Sequence, residues 1–194
     1  SGIEEILIVT GRNKESIEYH FDYSYELEKT LEEKGKHELL KVVNNISKLS
    51  NIYYVRQKNP LGLGHAIGCA EAFVGDEPFV VLLGDDIIYT DEAKGEIPVT
   101  KQLINKYNEL NGGTILGVQE VPEQEVDKYG IIAPLNKIDD KTVEVDNFVE
   151  KPSLAEAPSK LAALGRYVLE PEIFEYLKKT KPGKGGEIQL TDAI

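Results

Sequence analysis

The stretch EPFVVLLGDDIIYT, residues 77–90, runs an apolar segment over 79–83 into a glycine and two adjacent aspartates. A short apolar run bounded by turn residues reads as a buried strand. An ionised carboxylate is expensive away from water. Asp85 and Asp86 therefore put the strand tip in solvent, or they hold something there.

Similar runs recur at residues 6–9, 52–55 and 114–118, and helical patterns lie between them. Residues 24–47 carry apolar side chains at helical spacing, with Gly35 as a break. Residues 65–73 form a short, small-residue helix. Residues 100–110 form another, capped by Thr100 and stopped by Gly112 and Gly113. Strand and helix alternating in this way predict βαβ units and an α/β fold with a mostly parallel, Rossmann-like sheet. Beyond Pro122 the pattern becomes β-rich, with strands at 131–132, 143–149 and 161–169 and a helix at 170–179. The final EIQLTDAI is expected to open a further helix.

The 194 residues suffice for one domain with a substantial core. A net charge of −12 argues against nucleic acid and against an anionic membrane surface, since both need a basic face. No apolar stretch reaches the length of a membrane span. The single cysteine, Cys69, excludes an internal disulfide and fits a reducing cytoplasm. With only three histidines beside it, a zinc site of the usual ligand count is not expected. The chain enters its first strand almost at once, as though cut from something longer.

In an open parallel sheet, ligands sit beyond the carboxyl ends of the strands. Asp85 and Asp86 lie at such an end, and Gly84 lets the backbone come close. Two readings are open: a turn that caps the next element, or a site for a hard cation such as Mg²⁺. The segment RQKNPLGLGHAIGCA follows the strand at 52–55 and opens a helix. Its glycines fall at 62, 64 and 68, whereas a dinucleotide fingerprint requires the third at 67, where Ile67 stands. Gln57 carries a paired donor and acceptor that suit a nucleobase edge, or is a plain surface residue.

Glu150 and Lys151 end the strand in VEVDNFVEKP, and Pro152 stops it. A carboxylate beside an ammonium suits a sugar phosphate. On a regular strand the two would face opposite ways, so they reach one ligand only where the pleat breaks; otherwise they are a solvated strand end. Gly130 and Gly165 either permit close backbone approach or are turn residues. Arg166 and Lys101 read as phosphate contacts or as surface charges. His20, His37 and His65 show no triad or metal spacing, and no Ser, His and Asp grouping points to covalent catalysis.

Taken together, GIEEILIVTGRNKESIEYHFD, RQKNPLGLGHA, VGDEPFVVLLGDD, KYGII, VEKPSLAEAPSKLAALGRYVL and GEIQLTDAI resemble the bacterial UTP–glucose-1-phosphate uridylyltransferases, a nucleotidyltransferase family. The resemblance implies a Mg²⁺-dependent attack of glucose 1-phosphate on the α-phosphate of UTP, giving UDP-glucose and pyrophosphate. It also implies a nucleotide-binding part over residues 1–121 and a sugar-phosphate part over 122–194. By this resemblance Gln57 and Gly62 hold the uracil and Asp85 binds Mg²⁺, with Asp86 outside the motif. Gly130, Glu150 and Gly165 contact the glucosyl group, and Lys151 meets its phosphate.

One departure stands out. The family begins with a strand, a G-x-G-T-R loop and a lysine, and none of these is present. A later metal-binding aspartate, and the C-terminal helices that the family uses in homo-oligomer contacts, would lie past Ile194. The expectation is a chain truncated at both ends that makes no UDP-glucose by itself. The rivals are an NAD-dependent oxidoreductase, a non-catalytic sugar-nucleotide-binding module, and a nucleotidyltransferase for another nucleotide or sugar phosphate.

Overall fold

The computed structural model describes residues 2–194. They divide into two compact units, Gly2–Pro60 and Leu61–Ile194. Residue 121, where the nucleotide-binding and sugar-phosphate parts were expected to meet, lies within the second unit, and strands on either side of it pair there.

In the Gly2–Pro60 unit, β1 (Glu5–Thr10) and β2 (Asn51–Arg56) pair in parallel, from Glu5 opposite Asn51 to Thr10 opposite Arg56. Between them run α1 (Glu15–Phe21), α2 (Tyr25–Glu33) and α3 (His37–Ile46). The break between α2 and α3 falls at Gly35, whose φ is 65°, as its sequence position foretold. Buried Thr10 bonds Glu18 of α1 at 3.3 Å, and Arg56 pairs with Glu15 at 3.2 Å.

The Leu61–Ile194 unit begins with α4 (Leu63–Gly68) and α5 (Glu71–Val74), followed by β3 (Phe79–Leu82). The single helix expected over 65–73 is thus two short ones. Next come α6 (Val99–Leu110), β4 (Ile115–Glu120), β5 (Gly130–Asp139), β6 (Thr142–Glu150), β7 (Leu161–Leu169) and α7 (Ile173–Lys179). Helix α6 starts one residue before Thr100, so Pro98 and not Thr100 holds the cap position, and no side chain caps it.

The α/β class holds, but the parallel pairing is confined among the described strands to β1 with β2. The five-stranded sheet of β3 to β7 is built from antiparallel pairs. β7 is its centre. On one edge it pairs with β4 from Leu161 to Val168. On the other edge β3 accompanies Arg166 through Leu169, and β5 meets it at Ala162. That second edge is therefore shared, and it opens between Ala162 and Arg166, where β3 has ended and β5 has not begun.

The core of this unit lies beneath β7. Ile67 of α4, Tyr167 and Leu169 of β7, and Ile173, Phe174 and Leu177 of α7 pack with Leu190 and Ala193. Phe79 stacks on Phe174 with ring centroids 5.3 Å apart and planes 4° from parallel. The expected terminal helix is absent. Ile188 donates its amide to Leu61 O at 2.8 Å, and its carbonyl accepts from Gly64 N at 2.9 Å. A backbone held crosswise in this way cannot make helical i to i−4 bonds, and only the last turn, from Leu190 to Ile194, closes on itself.

Candidate functional site

The gap on the edge of β7 floors a cavity of about 360 Å³. Asp85 and Asp86 border it from the turn after β3, and Ala163, Gly165 and Tyr167 from β7. Gly130 on β5, Phe148 and Glu150 on β6, and Lys151 just beyond close another wall. Glu187, Gln189 and Thr191 of the terminal strip complete it. Five of the residues singled out by sequence (Asp85, Gly130, Glu150, Lys151 and Gly165) thus border one cavity, although they lie on four separate segments. Gly62 sits beside it. With φ at 100° it precedes α4, and a Cβ there would come within 2.7 Å of Glu187 Cβ. Gln57 belongs to the Gly2–Pro60 unit, directly after β2, where its amide donates to Thr10 O at 2.8 Å.

The two aspartates differ sharply. Asp86 Oδ2 accepts a hydrogen bond from Gly165 N at 2.7 Å. The carboxylate stands where the next strand residue would have accepted it, so the ladder that β3 abandons is continued by a side chain. Asp85 is exposed, and its carboxylate makes no hydrogen bond or ion pair to any other described residue. Among the described residues no group of three or more His, Cys, Asp or Glu side chains is arranged to hold a metal ion. A single exposed carboxylate does suit a hard cation that completes its shell with water and phosphate oxygens.

The obstacle at Glu150 and Lys151 resolves at Lys151 itself. β6 ends on Glu150, and Lys151 takes the left-handed conformation, φ 45°, with its amide donating to Tyr129 O at 3.0 Å. A left-handed, non-glycine residue is strained, and such strain clusters where function over-determines the backbone. The pleat breaks there, so both side chains border the same cavity. Lys151 Nζ lies 3.7 Å from Glu150 Oε1.

Like Gly62, the other two glycines on this cavity side are close-approach positions. A Cβ on Gly130 would fall 2.5 Å from Phe148 Cε2, and one on Gly165 would fall 2.5 Å from Leu83 Cβ. Gly165 was expected to contact a sugar. Its amide donates to Asp86 and its carbonyl accepts from Leu83 N at 2.9 Å, so its bare α-carbon also lets the aspartate turn sit down on β7. Arg166 is half-buried, and its guanidinium donates to three backbone carbonyls.

Sequence reading passed over Tyr167. Only 5% exposed, it forms part of the cavity wall. Burial pushes its hydroxyl pKa up to about 12, with Glu150 and Asp86 adding to the effect. The available signal was its place in strict alternation with Gly165 and Leu169 along a buried strand. The glycine turn at 62–64 is also committed within the fold, since Gly64 N binds Ile188 O. It therefore offers no dinucleotide-type phosphate loop.

A sheet whose central strand splits its edge around two aspartates, with a lysine and a glutamate opposite, matches a known class. The nucleotidyl transferase family model matches residues 1–194, and the chain belongs to that family. It is 57% identical over all 194 residues to the UTP–glucose-1-phosphate uridylyltransferase of Bacillus subtilis strain 168, and spans 64% of the length of that relative. A solved UDP-glucose pyrophosphorylase complexed with UDP-glucose superposes with a TM-score of 0.86 at 44% identity, covering 99% of this chain and 68% of that one. A UTP-bound enzyme of the same kind from Acinetobacter baumannii gives a TM-score of 0.86 at 40% identity, covering 99% and 65%. The NAD-dependent oxidoreductase reading falls with this assignment. Among the described residues no helix is long and apolar enough to cross a membrane.

Proposed function

We propose that the protein carrying this chain makes UDP-glucose and pyrophosphate from UTP and glucose 1-phosphate. A phosphate oxygen of the sugar phosphate forms a bond to the α-phosphorus of UTP. The bond from that phosphorus to the β-phosphate oxygen breaks, and pyrophosphate leaves. No enzyme nucleophile takes part, so the protein's task is to position and neutralise two anions. The observation that carries this reading is the convergence of Asp85, Glu150 and Lys151 on one cavity beside Gly130. The relatives' names and bound ligands support the choice of uridine nucleotide and glucose.

Charge decides what else is needed. The chain carries −12, and a carboxylate about 4 Å from one phosphate charge costs roughly 4 kcal/mol at an effective dielectric near 20. Asp85 fits a site for Mg²⁺, which when bound supplies positive charge between carboxylate and triphosphate. In this reading Lys151 offsets the sugar phosphate, Glu150 accepts from sugar hydroxyls, and Gly62 meets the uracil. Gly130 keeps the wall beside the glucosyl group bare.

The test is pyrophosphate release coupled to a dye, measured on the full-length protein that carries this chain, with UTP, glucose 1-phosphate and Mg²⁺ supplied. UDP-glucose should form in step with pyrophosphate, and Asp85→Asn should lower the rate by about a hundredfold or more. Wild-type turnover in that variant would remove Asp85 from the site.

A further inference from the structure

The turn that carries Asp85 is tied to β7 by an unusual set of bonds. Leu83 N donates to Gly165 O at 2.9 Å, and Gly165 N donates to Asp86 Oδ2 at 2.7 Å. Arg166 Nη1 donates to Leu83 O at 3.1 Å and to its own Gly165 O at 2.7 Å, while Nη2 reaches Asp86 O at 2.5 Å. The first and last residues of the turn are thus both gripped, and of the two exposed residues between them, Gly84 and Asp85, Asp85 carries the side chain. A planar guanidinium is the side chain that can bridge several carbonyls at fixed spacing, and an ammonium cannot.

We infer that Asp86 and Arg166 are positioning residues, which hold residues 83–86 in the one shape that presents the Asp85 carboxylate to the cavity. The inference rests on the reading of Asp85 as the metal-holding residue. In this device Asp86 acts as a hydrogen-bond acceptor, its Oδ2 being engaged by Gly165 N. Its charge is not what the turn needs; its acceptor is. Gly165 belongs to the same device, since any Cβ there would meet Leu83 at 2.5 Å and Asp86 Oδ2 at 2.8 Å.

The experiment is isothermal titration of UTP into the protein, once with Mg²⁺ and once with EDTA, for wild type, Asp85→Asn, Asp86→Asn, Asp86→Ala and Arg166→Lys. The readout is the factor by which Mg²⁺ tightens UTP binding. Wild type should gain about tenfold or more, and Asp85→Asn should lose that gain. Asp86→Asn keeps an acceptor for Gly165 and should retain the gain within about threefold. Asp86→Ala and Arg166→Lys should lose at least fivefold of it, with the affinity in EDTA unchanged. That unchanged value separates a misplaced carboxylate from a misfolded protein, and either variant suffices should the other fold poorly. If Asp86→Asn loses as much as Asp86→Ala, the aspartate acts by charge and the positioning role is wrong. If both Asp86→Ala and Arg166→Lys keep the gain, the clamp does nothing for Asp85. No gain in wild type, or an undiminished gain in Asp85→Asn, overturns the metal reading itself and the clamp's role with it.

Discussion

Phe148 lies against the bare α-carbon of Gly130, so closely that a Cβ there would stand 2.5 Å from ring atom Cε2 and 2.9 Å from Cζ. Glycine at 130 therefore decides where one wall of the cavity stands, because Phe148 borders it too. Gly130→Ala should force the ring to turn and should destabilise the fold by about 1–2 kcal/mol, the usual scale of overpacking. Thermal unfolding followed by circular dichroism reads the loss, and titration with glucose 1-phosphate should show weaker binding. An unchanged melting temperature with unchanged binding would mean the ring moves freely.

Lys151 separates strain from charge. Its left-handed φ of 45° suits glycine better than lysine. Lys151→Gly should keep or raise the melting temperature by a few degrees, while glucose 1-phosphate binds about tenfold more weakly or worse. Were the variant to bind sugar phosphate as wild type does, the ammonium would have no part in the site.

Tyr167 gives a pH signature. Its hydroxyl pKa is raised to about 12, first by burial and then by Glu150 and Asp86. The folded protein favours the neutral phenol, so this stabilisation is complete below the unfolded value near 10. It is lost as pH rises from there through about 12. Absorbance at the phenolate band should show a late-titrating tyrosine that Tyr167→Phe deletes. The difference between the two curves isolates it from Tyr54 and Tyr107, whose pKa values are also raised. A curve unaltered by the substitution would contradict the burial.

Glu150→Gln keeps an acceptor but removes the charge beside Lys151, 3.7 Å away. Apparent affinity for glucose 1-phosphate should fall several-fold more than that for UTP, read as separate KM values. Equal losses for both substrates would reduce Glu150 to a structural role.

Apolar runs and turn residues along the chain determined by themselves that strands form near 6–9, 52–55, 79–83 and 114–118. Burial of short β-branched and aromatic segments is a local property that needs no partner to be named. The same local signals flagged Asp85, Asp86, Gly130, Glu150 and Lys151 with a structural alternative beside each, and the family resemblance supplied their roles. Which strands pair, and in which direction, was decided by tertiary structure, because ladder partners such as Phe79 and Leu169 leave no mark on each other's sequence. The same holds for the terminal EIQLTDAI, whose helical spacing yields to two cross-chain bonds at Ile188. It holds most of all for Asp86 and Arg166, adjacent in role yet 80 positions apart along the chain. In sequence the carboxylate reads as a turn cap or cation site and the guanidinium as a phosphate contact or surface charge, until the fold brings the residue 83–86 turn onto β7, where a strand edge with unmet backbone groups gives each a partner.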